Sequence, residues 1–282
     1  MNSTKKVIIV GGVAGGASTA TRLRRLDEHA EIIMFEKGDY VSFANCGLPY
    51  YIGNVIKDRS LLTVQTPEDF NKKFGIDVRI RQEVTAIDTS AKTVTVKKTD
   101  SGETYTETYT DLVLATGASP VRPLLPGADS PRVFTLRTIP DTDRIKSFID
   151  EHHPKTAVVM GGGFIGVEMA ENLDHAGLDV TIAEMLPQLI APIYPDMAAS
   201  VHTYISSMGV RLALGKGVSS IEDSGSSLML TLSDGSHISA DMLIMSIGVH
   251  PDTALAEKAK ILLDKKGAII TDEHMRTSAS HV

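Results

Sequence analysis

The stretch Val7-Ile8-Ile9-Val10-Gly11-Gly12-Val13-Ala14-Gly15-Gly16 returns in mid-chain as Ala157-Val158-Val159-Met160-Gly161-Gly162-Gly163-Phe164-Ile165-Gly166. Each copy opens with a short β-type run, passes through a glycine turn and enters a helix-like stretch, to Leu26 in the first and to about His175 in the second. A second β run then closes on an acid: Glu31–Phe35 before Glu36, and Asp179–Ala183 before Glu184. Strand, glycine turn, helix and strand with a terminal acid make the dinucleotide-binding βαβ unit. The glycines allow a tight turn and bring backbone N–H groups close to a pyrophosphate, whose charge sits at the positive end of the helix. The acid accepts hydrogen bonds from a ribose 2′-hydroxyl and repels a 2′-phosphate. One glycine turn is weak evidence, whereas two copies in the same context are specific. The second copy fills all three glycine positions, Gly161, Gly163 and Gly166; in the first, Val13 takes the middle place between Gly11 and Gly16.

Working outward, Asp77–Ile87 and Thr93–Lys98 alternate at period two, and Glu103–Thr110 continues the pattern after the turn Asp100-Ser101-Gly102. Asp111–Ala115 predicts a buried strand ending at Thr116-Gly117. Pro120, Pro123, Pro126 and Pro131 then mark a connector. A second meander is expected from Arg211–Leu214, Leu228–Leu232 and Met242–Ser246, with Ser233-Asp234-Gly235 as its turn. It ends at Ser246-Ile247-Gly248, a counterpart of Ala115-Thr116-Gly117. The repeat therefore extends over whole domains.

Composition bounds what such a chain can do. Its 282 residues are 42% hydrophobic and 22% charged, which suits two folded domains and excludes a disordered or collagen-like chain. The net charge of −7 and a pI near 5.7 disfavour binding to nucleic acid. Apolar runs such as Val7–Val10 and Met242–Ile247 fall far short of the roughly 18–20 residues of a membrane span. Met1–Lys6 and the run after it lack a signal-peptide cleavage site, so the cytoplasm is the expected compartment. Cys46 is the sole cysteine, which excludes an internal disulfide, a CxxC redox pair and a four-thiolate zinc site; no metal site is expected.

Cys46 lies in Ser42-Phe43-Ala44-Asn45-Cys46-Gly47-Leu48-Pro49-Tyr50-Tyr51-Ile52-Gly53. Pro49 can start a helix just after it, and a helix amino terminus favours a thiolate, which makes Cys46 a candidate nucleophile. Lone cysteines are more often small buried apolar residues, and both roles stay open on composition. Ser18, Arg22 and Arg25 fall at i, i+4 and i+7 of the first helix and share a face that could meet phosphates or simply face solvent.

The layout resembles the pyridine nucleotide–disulfide oxidoreductases, over Val7 to Ser278. Within them Gly11–Gly16 and Ser42–Gly53 resemble the single-cysteine branch of coenzyme A-disulfide reductases and coenzyme A persulfide reductases. The partner thiol of two-cysteine members is missing. Ala14 and Asn45 stand where the oxidases and peroxidases of the superfamily carry histidine and serine. The resemblance implies an α/β chain with two Rossmann-like domains, each with a β-meander. Residues 1–120 would begin the FAD domain, 121–247 would be the NAD(P) domain with its connector, and 248–282 would start the return to the first. The chain stops before the family's second flavin motif and its dimerisation domain, as a fragment of a homodimeric parent would.

By the same resemblance, Gly11, Val13, Ala14, Gly16, Glu36, Lys37, Thr116 and Gly117 would hold FAD. Gly161, Gly163 and Gly166 would hold the NAD(P)H pyrophosphate, with Phe164 near the nicotinamide, Glu168 beside the flavin and Glu184 favouring NADH over NADPH; Ile165, and Gly248 in the family's return loop, would complete the cofactor contacts. Ser18, Arg22, Arg25, Ser42 and Asn45 would contact coenzyme A, with Lys73 near a further such position. His250 replaces a more usual arginine. Electrons would pass from NAD(P)H by way of FAD to a mixed disulfide between Cys46 and a small thiol, the substrate being coenzyme A disulfide or a persulfide. The alternatives are an NADH oxidase or peroxidase cycling a Cys46 sulfenic acid, and a redox or nucleotide-binding module without turnover.

Overall fold

A computed structural model describes residues 5–282; the signal-peptide reading of Met1–Lys6 therefore falls largely outside the described residues. The first βαβ unit is β1 (Lys6–Val10), α1 (Ala14–Leu26) and β2 (Glu31–Phe35). Helices α2 (Leu48–Ile52) and α3 (Pro67–Phe74) follow, then β3 (Asp77–Arg79), β4 (Gln82–Asp88), β5 (Thr93–Lys98), β6 (Thr104–Thr108), β7 (Asp111–Leu114) and β8 (Ala118–Pro120). Next, β9 (Val133–Phe134) and α4 (Ile139–His152) lead into the second βαβ unit, β10 (Thr156–Met160), α5 (Phe164–His175) and β11 (Asp179–Glu184). The remainder is α6 (Pro195–Ser207), β12 (Arg211–Leu214), β13 (Val218–Asp223), β14 (Leu228–Leu232), β15 (His237–Ala240), β16 (Met242–Met245), β17 (Val249–Pro251) and α7 (Ala254–Lys258).

The chain divides into two compact units. One holds the chain through Ala44, Thr63–Ser119 and His250–Val282; the other holds Asn45–Leu62 and Pro120–Val249. In the first, a parallel sheet runs β3-β2-β1-β7, with Val7 opposite Ile32 and Val10 opposite Phe35. Alternate residues of β1 enter different cores. Val7 and Ile9 pack with Ala17, Ala20 and Phe70 from the helices, while Ile8 and Val10 pack with Val94 and Val96 of the meander. That two-sided burial is why the strand reads as an unbroken apolar run. Each such side chain contributes about 1.5–3 kcal/mol. The second unit repeats the plan as β12-β11-β10-β16, all parallel, with β9 added at the edge. Both units also carry a three-stranded antiparallel sheet, β4-β5-β6 and β13-β14-β15, and the first strand of each is bulged, at Val84/Ala86 and Val218/Ser220.

Two expected elements are redrawn. The alternation over Asp77–Ile87 is two strands: β3 joins the parallel sheet and β4 the meander, with Arg81 at φ 54 between them. The second meander consists of β13, β14 and β15, whereas Arg211–Leu214 and Met242–Met245 belong to the parallel sheet. The turns Asp100-Ser101-Gly102 and Ser233-Asp234-Gly235 stand where the sequence puts them, closed by Gly102 N–H to Lys98 O and Gly235 N–H to Leu232 O.

The first unit carries one ionic network of consequence. Glu107 accepts from Lys6 Nζ and Arg79 Nη1, both at 2.8 Å, with its side chain 18% exposed. Burial alone would raise its pKa, but the hydrogen bonds from Lys6 and Arg79 prevail and hold its carboxyl below the ordinary range. A group depressed in the folded state contributes stability above its unfolded pKa and loses it as pH falls through the folded value. Melting temperatures followed from neutral into acid should fall, and Glu107→Gln, already lacking that contribution at neutral pH, should flatten the fall. An unchanged slope in the variant would refute the assignment.

Candidate active site

The two glycine turns are the same object built twice. Gly11 N–H donates to Phe35 O and Gly161 N–H to Ala183 O, which ties each turn to the end of the neighbouring strand. Gly11 has φ 104, and a Cβ there would stand 2.1 Å from Ala115 O; Gly161 has φ 106, and its Cβ would stand 2.5 Å from Ser246 O. The third glycines lie closer still, with a Cβ on Gly16 at 1.8 Å from Gly11 O and one on Gly166 at 1.9 Å from Gly161 O. Packing inside the protein therefore dictates these four glycines. It does not dictate Gly163, whose Cβ would meet nothing within 4 Å and whose φ of −76 suits any residue.

The helices these turns feed are left open at their amino ends. Elsewhere α3 and α4 close theirs with capping boxes, Thr66 with Asp69 and Thr138 with Asp141. Neither α1 nor α5 has a side-chain cap or an acidic residue in its first turn. Free N–H groups at an uncapped helix end fit a pyrophosphate, and the second turn adds Gly163, a glycine that nothing in the protein requires. The residues present thus suit a dinucleotide at each turn.

Both strand-end acids are engaged in the same way. Glu36 accepts from the N–H groups of Gly12 at 2.9 Å and Gly38 at 2.8 Å, and Glu184 from those of Gly162 at 2.6 Å and Leu186 at 2.7 Å. Glu184 is buried, so it is no ordinary solvated strand-end acid. Each carboxylate oxygen keeps a lone pair free for a ribose hydroxyl. Beyond them, Thr116 Oγ1 donates to Asp252 O at 2.6 Å, and Gly117 and Gly248 turn at φ 78 and 114.

Cys46 occupies a 3₁₀ turn, Asn45–Gly47, that leads into α2 with Pro49 in its first turn. Its side chain is exposed, so the buried apolar alternative does not hold. This segment is fastened inside the second unit, where α2 packs on α4 and α5. Arg59 makes a two-pronged pair with Asp143, at 2.7 and 2.6 Å, and Lys146 Nζ bonds Asn54 Oδ1 at 2.7 Å. At the end of α2, Gly53 lies against Asn172 of α5; a Cβ on Gly53 would stand 2.6 Å from Asn172 Oδ1. Beside Cys46, Asn45 Oδ1 is buried without a hydrogen-bond partner, an acceptor that fits a donor from a bound molecule.

The first unit thus holds Gly11, Val13, Ala14, Gly16, Ser18, Arg22, Arg25, Glu36, Lys37, Ser42, Thr116 and Gly117. The second holds Asn45, Cys46, Gly161, Gly163, Phe164, Ile165, Gly166, Glu168, Glu184 and Gly248. Arg22 and Arg25 are exposed and, among the described residues, make no ion pair or hydrogen bond. Their neighbour Arg24 closes the end of α1 instead, donating to Phe74 O at 2.7 Å and Glu28 O at 2.6 Å. Lys73 is taken up by Asp69 at 3.0 Å and Gln65 at 3.1 Å. Phe164 and Ile165 are exposed apolar residues, 62% and 44%, at the mouth of α5. Sequence reasoning missed Asn172, whose Nδ2 donates to Glu168 O at 2.8 Å and whose side chain lies against Gly53. The pairing of Gly53 with an asparagine is visible only in three dimensions. No group of His, Cys, Asp and Glu suited to a metal occurs among the described residues, and no helix there is long and apolar enough to cross a membrane.

A family model described as pyridine nucleotide-disulphide oxidoreductase matches residues 5–282. Coenzyme A disulfide reductase of Staphylococcus haemolyticus (strain JCSC1435) is 37% identical over 278 residues, 99% of this chain and 62% of the relative. The crystal structure of reduced Bacillus anthracis CoADR-RHD superposes with a TM-score of 0.96 at 49% identity, covering 99% of this chain and 50% of that one. A NAD-dependent persulfide reductase from A. fulgidus gives a TM-score of 0.91 at 35% identity, over 97% and 51%. The chain spans less than two thirds of the length of each.

Proposed function

The chain belongs to the pyridine nucleotide-disulphide oxidoreductase family, and from that premise we propose that it works as an FAD-dependent NAD(P)H oxidoreductase reducing coenzyme A disulfide, or a coenzyme A or small-molecule persulfide, through a mixed disulfide on Cys46. The observation that carries this is the solitary cysteine, exposed on its turn. These 282 residues hold no second thiol, and the partner sulfur would come from the substrate.

Residues 1–120 and 248–282 would hold FAD and residues 121–247 the NAD(P)H. In the first, the uncapped end of α1 takes the flavin pyrophosphate, with Gly11, Val13, Ala14 and Gly16 lining it, Lys37 beside it and Glu36 on the ribose. In the second, Gly161, Gly163 and Gly166 take the nicotinamide cofactor's pyrophosphate, and Glu184 takes its ribose hydroxyl and discourages a 2′-phosphate. Ser18, Arg22, Arg25, Ser42 and Asn45 meet coenzyme A, the two free arginines supplying charge for its phosphates. Bound together, the two cofactors supply two-electron transfer to sulfur. The protein's own work is done by Cys46: its thiolate attacks a substrate disulfide, the new S–S bond forms on Sγ, and the displaced thiol leaves. A soluble cytoplasmic homodimer, without nucleic-acid partners, completes the proposal.

Two measurements on the FAD-loaded chain test it. Coenzyme A disulfide should support NADH oxidation faster than hydrogen peroxide or oxygen does. The intact mass should show an adduct of coenzyme A mass on Cys46 that reductant removes. Faster turnover with peroxide and a sulfenic acid on Cys46 would overturn the proposal in favour of an oxidase or peroxidase. NADH and FAD binding without turnover of any oxidant would overturn it in favour of a nucleotide-binding module.

A further inference from the structure

The second glycine of each turn is closed by the same buckle. In the first unit, Gly12 N–H donates to Glu36 Oε2, and Gly12 O accepts from Ser42 N–H at 2.8 Å. In the second unit, Gly162 N–H donates to Glu184 Oε2, and Gly162 O accepts from Ile190 N–H at 2.7 Å. Both donor residues stand in the left-handed region, Ser42 at φ 46 and Ile190 at φ 49. The residue before each is buried against the glycine. A Cβ on Gly12 would stand 2.6 Å from Val41 Cγ1, and one on Gly162 would stand 2.4 Å from Leu189 Cδ2.

The two buckles differ in what holds them. Ser42 is fastened by backbone, through Val64 N–H to Ser42 O at 2.9 Å. Ile190 is β-branched, which makes the left-handed region costlier, and it stays there only while its neighbours hold it. Ile193 N–H donates to Ile190 O at 3.0 Å, and Leu189 N–H donates to His202 Nε2 of α6 at 3.0 Å. Leu189 is wholly buried, so its N–H depends on that acceptor. An imidazole nitrogen accepts only while unprotonated. The bond therefore requires a neutral ring with its proton on Nδ1, since the charged ring has two donors and no acceptor. The other titratable groups of α6 are Asp196 and Tyr204, both exposed, and the loop before it brings only Tyr194, also exposed. Strand β12, packed on α6, brings Arg211, which is exposed and donates to Thr181 Oγ1 at 3.1 Å. Glu184, at the end of β11, is engaged by Gly162 and Leu186. Among the described residues, none of these groups pairs with His202.

We propose that His202 is a positioning residue for the nucleotide at the second turn, acting through Leu189 and Ile190: its neutral ring latches the buckle on Gly162, and protonation of the ring releases it. A proton on Nε2 takes the acceptor from Leu189 N–H. Ile190 is then free to leave its left-handed conformation, and Gly162 O loses its donor. The closed buckle excludes the charged ring, so it is favoured as pH rises and lost as pH falls. The first turn, whose buckle is fastened by the Val64 amide, has no such dependence. Acid should therefore weaken the nicotinamide cofactor through His202 without reaching the flavin turn by this route.

This role rests on the reading of the second turn as the NAD(P)H site, but the first of two measurements does not. Hydrogen exchange at residues 185–194, expressed as protection relative to the intrinsic rate at each pH, should weaken between about pH 8 and pH 5, the range in which imidazoles change charge. NAD⁺, which cannot reduce the flavin, should bind about tenfold more weakly at the acid end. His202→Gln offers an amide oxygen in place of Nε2 and should keep the parent's high-pH protection and affinity at both ends. His202→Leu offers no acceptor and should bind NAD⁺ about tenfold more weakly at both ends. Protection and affinity that stay flat in the parent, or fall equally in His202→Gln, overturn the latch. Protection that follows His202 in a chain that binds no NAD⁺ at any pH would overturn the nucleotide reading of the second turn instead.

Discussion

Cys46→Ser should lower disulfide-dependent turnover by roughly 10⁴-fold or more, because a serine hydroxyl is neither ionised at neutral pH nor able to form and release an S–S bond. The same variant should melt where the parent does. Cys46 is exposed on its turn, and replacing an exposed small side chain changes stability by about 0.5 kcal/mol or less. NADH should still reduce bound FAD, since the residues proposed for both nucleotides are untouched. The intact mass should carry no reductant-labile adduct. Disulfide turnover retained in Cys46→Ser would remove sulfur from the mechanism, and loss of flavin reduction would show that Cys46 serves the cofactor.

What could be read from the sequence is what local chemistry decides. The two βαβ units were legible because a glycine at φ 104 or 106, a third glycine whose Cβ would stand under 2 Å from a carbonyl oxygen and a strand-end acid are each demanded within one short segment. The face shared by Arg22 and Arg25 was legible from helical phase, and the structure leaves both free while Arg24 closes the helix. The sheet that a strand joins is not local, which is why Arg211–Leu214 and Met242–Met245 were grouped with the wrong partners. Strands β13 and β15 escaped notice because they bury little, chiefly Ile221 and Ala240. The role of Cys46 was undecidable from composition, where a buried thiol is the commoner outcome; its exposure depends on how α2 seats on α5. Asn172 carries no motif, and its place against Gly53 exists only in three dimensions.

The glycines of the second turn should separate two functions that the motif merges. Gly166→Ala would place a Cβ 1.9 Å from Gly161 O and 3.0 Å from Gly161 C, so the start of α5 must move away from the end of β10. Backbone cannot yield as a side chain can, and a loss of about 3 kcal/mol or more is expected, a fall of roughly 10 °C in melting temperature. Gly163→Val should do the reverse. Its Cβ meets nothing within 4 Å and its backbone is extended, so the fold should tolerate it. The branched side chain would instead project over the uncapped helix end, and NADH affinity should fall roughly 10²-fold, equivalent to about 3 kcal/mol. The first turn holds Val13 at the matching place with φ −98 and ψ −134, against −76 and −175 at Gly163, so the melting curve of Gly163→Val has to be read beside its NADH affinity. Melting curves and NADH titrations of both variants check the pair. An unmoved melting temperature in Gly166→Ala, or unmoved NADH affinity in Gly163→Val, would break the division between glycines that fold the turn and the glycine that admits the cofactor.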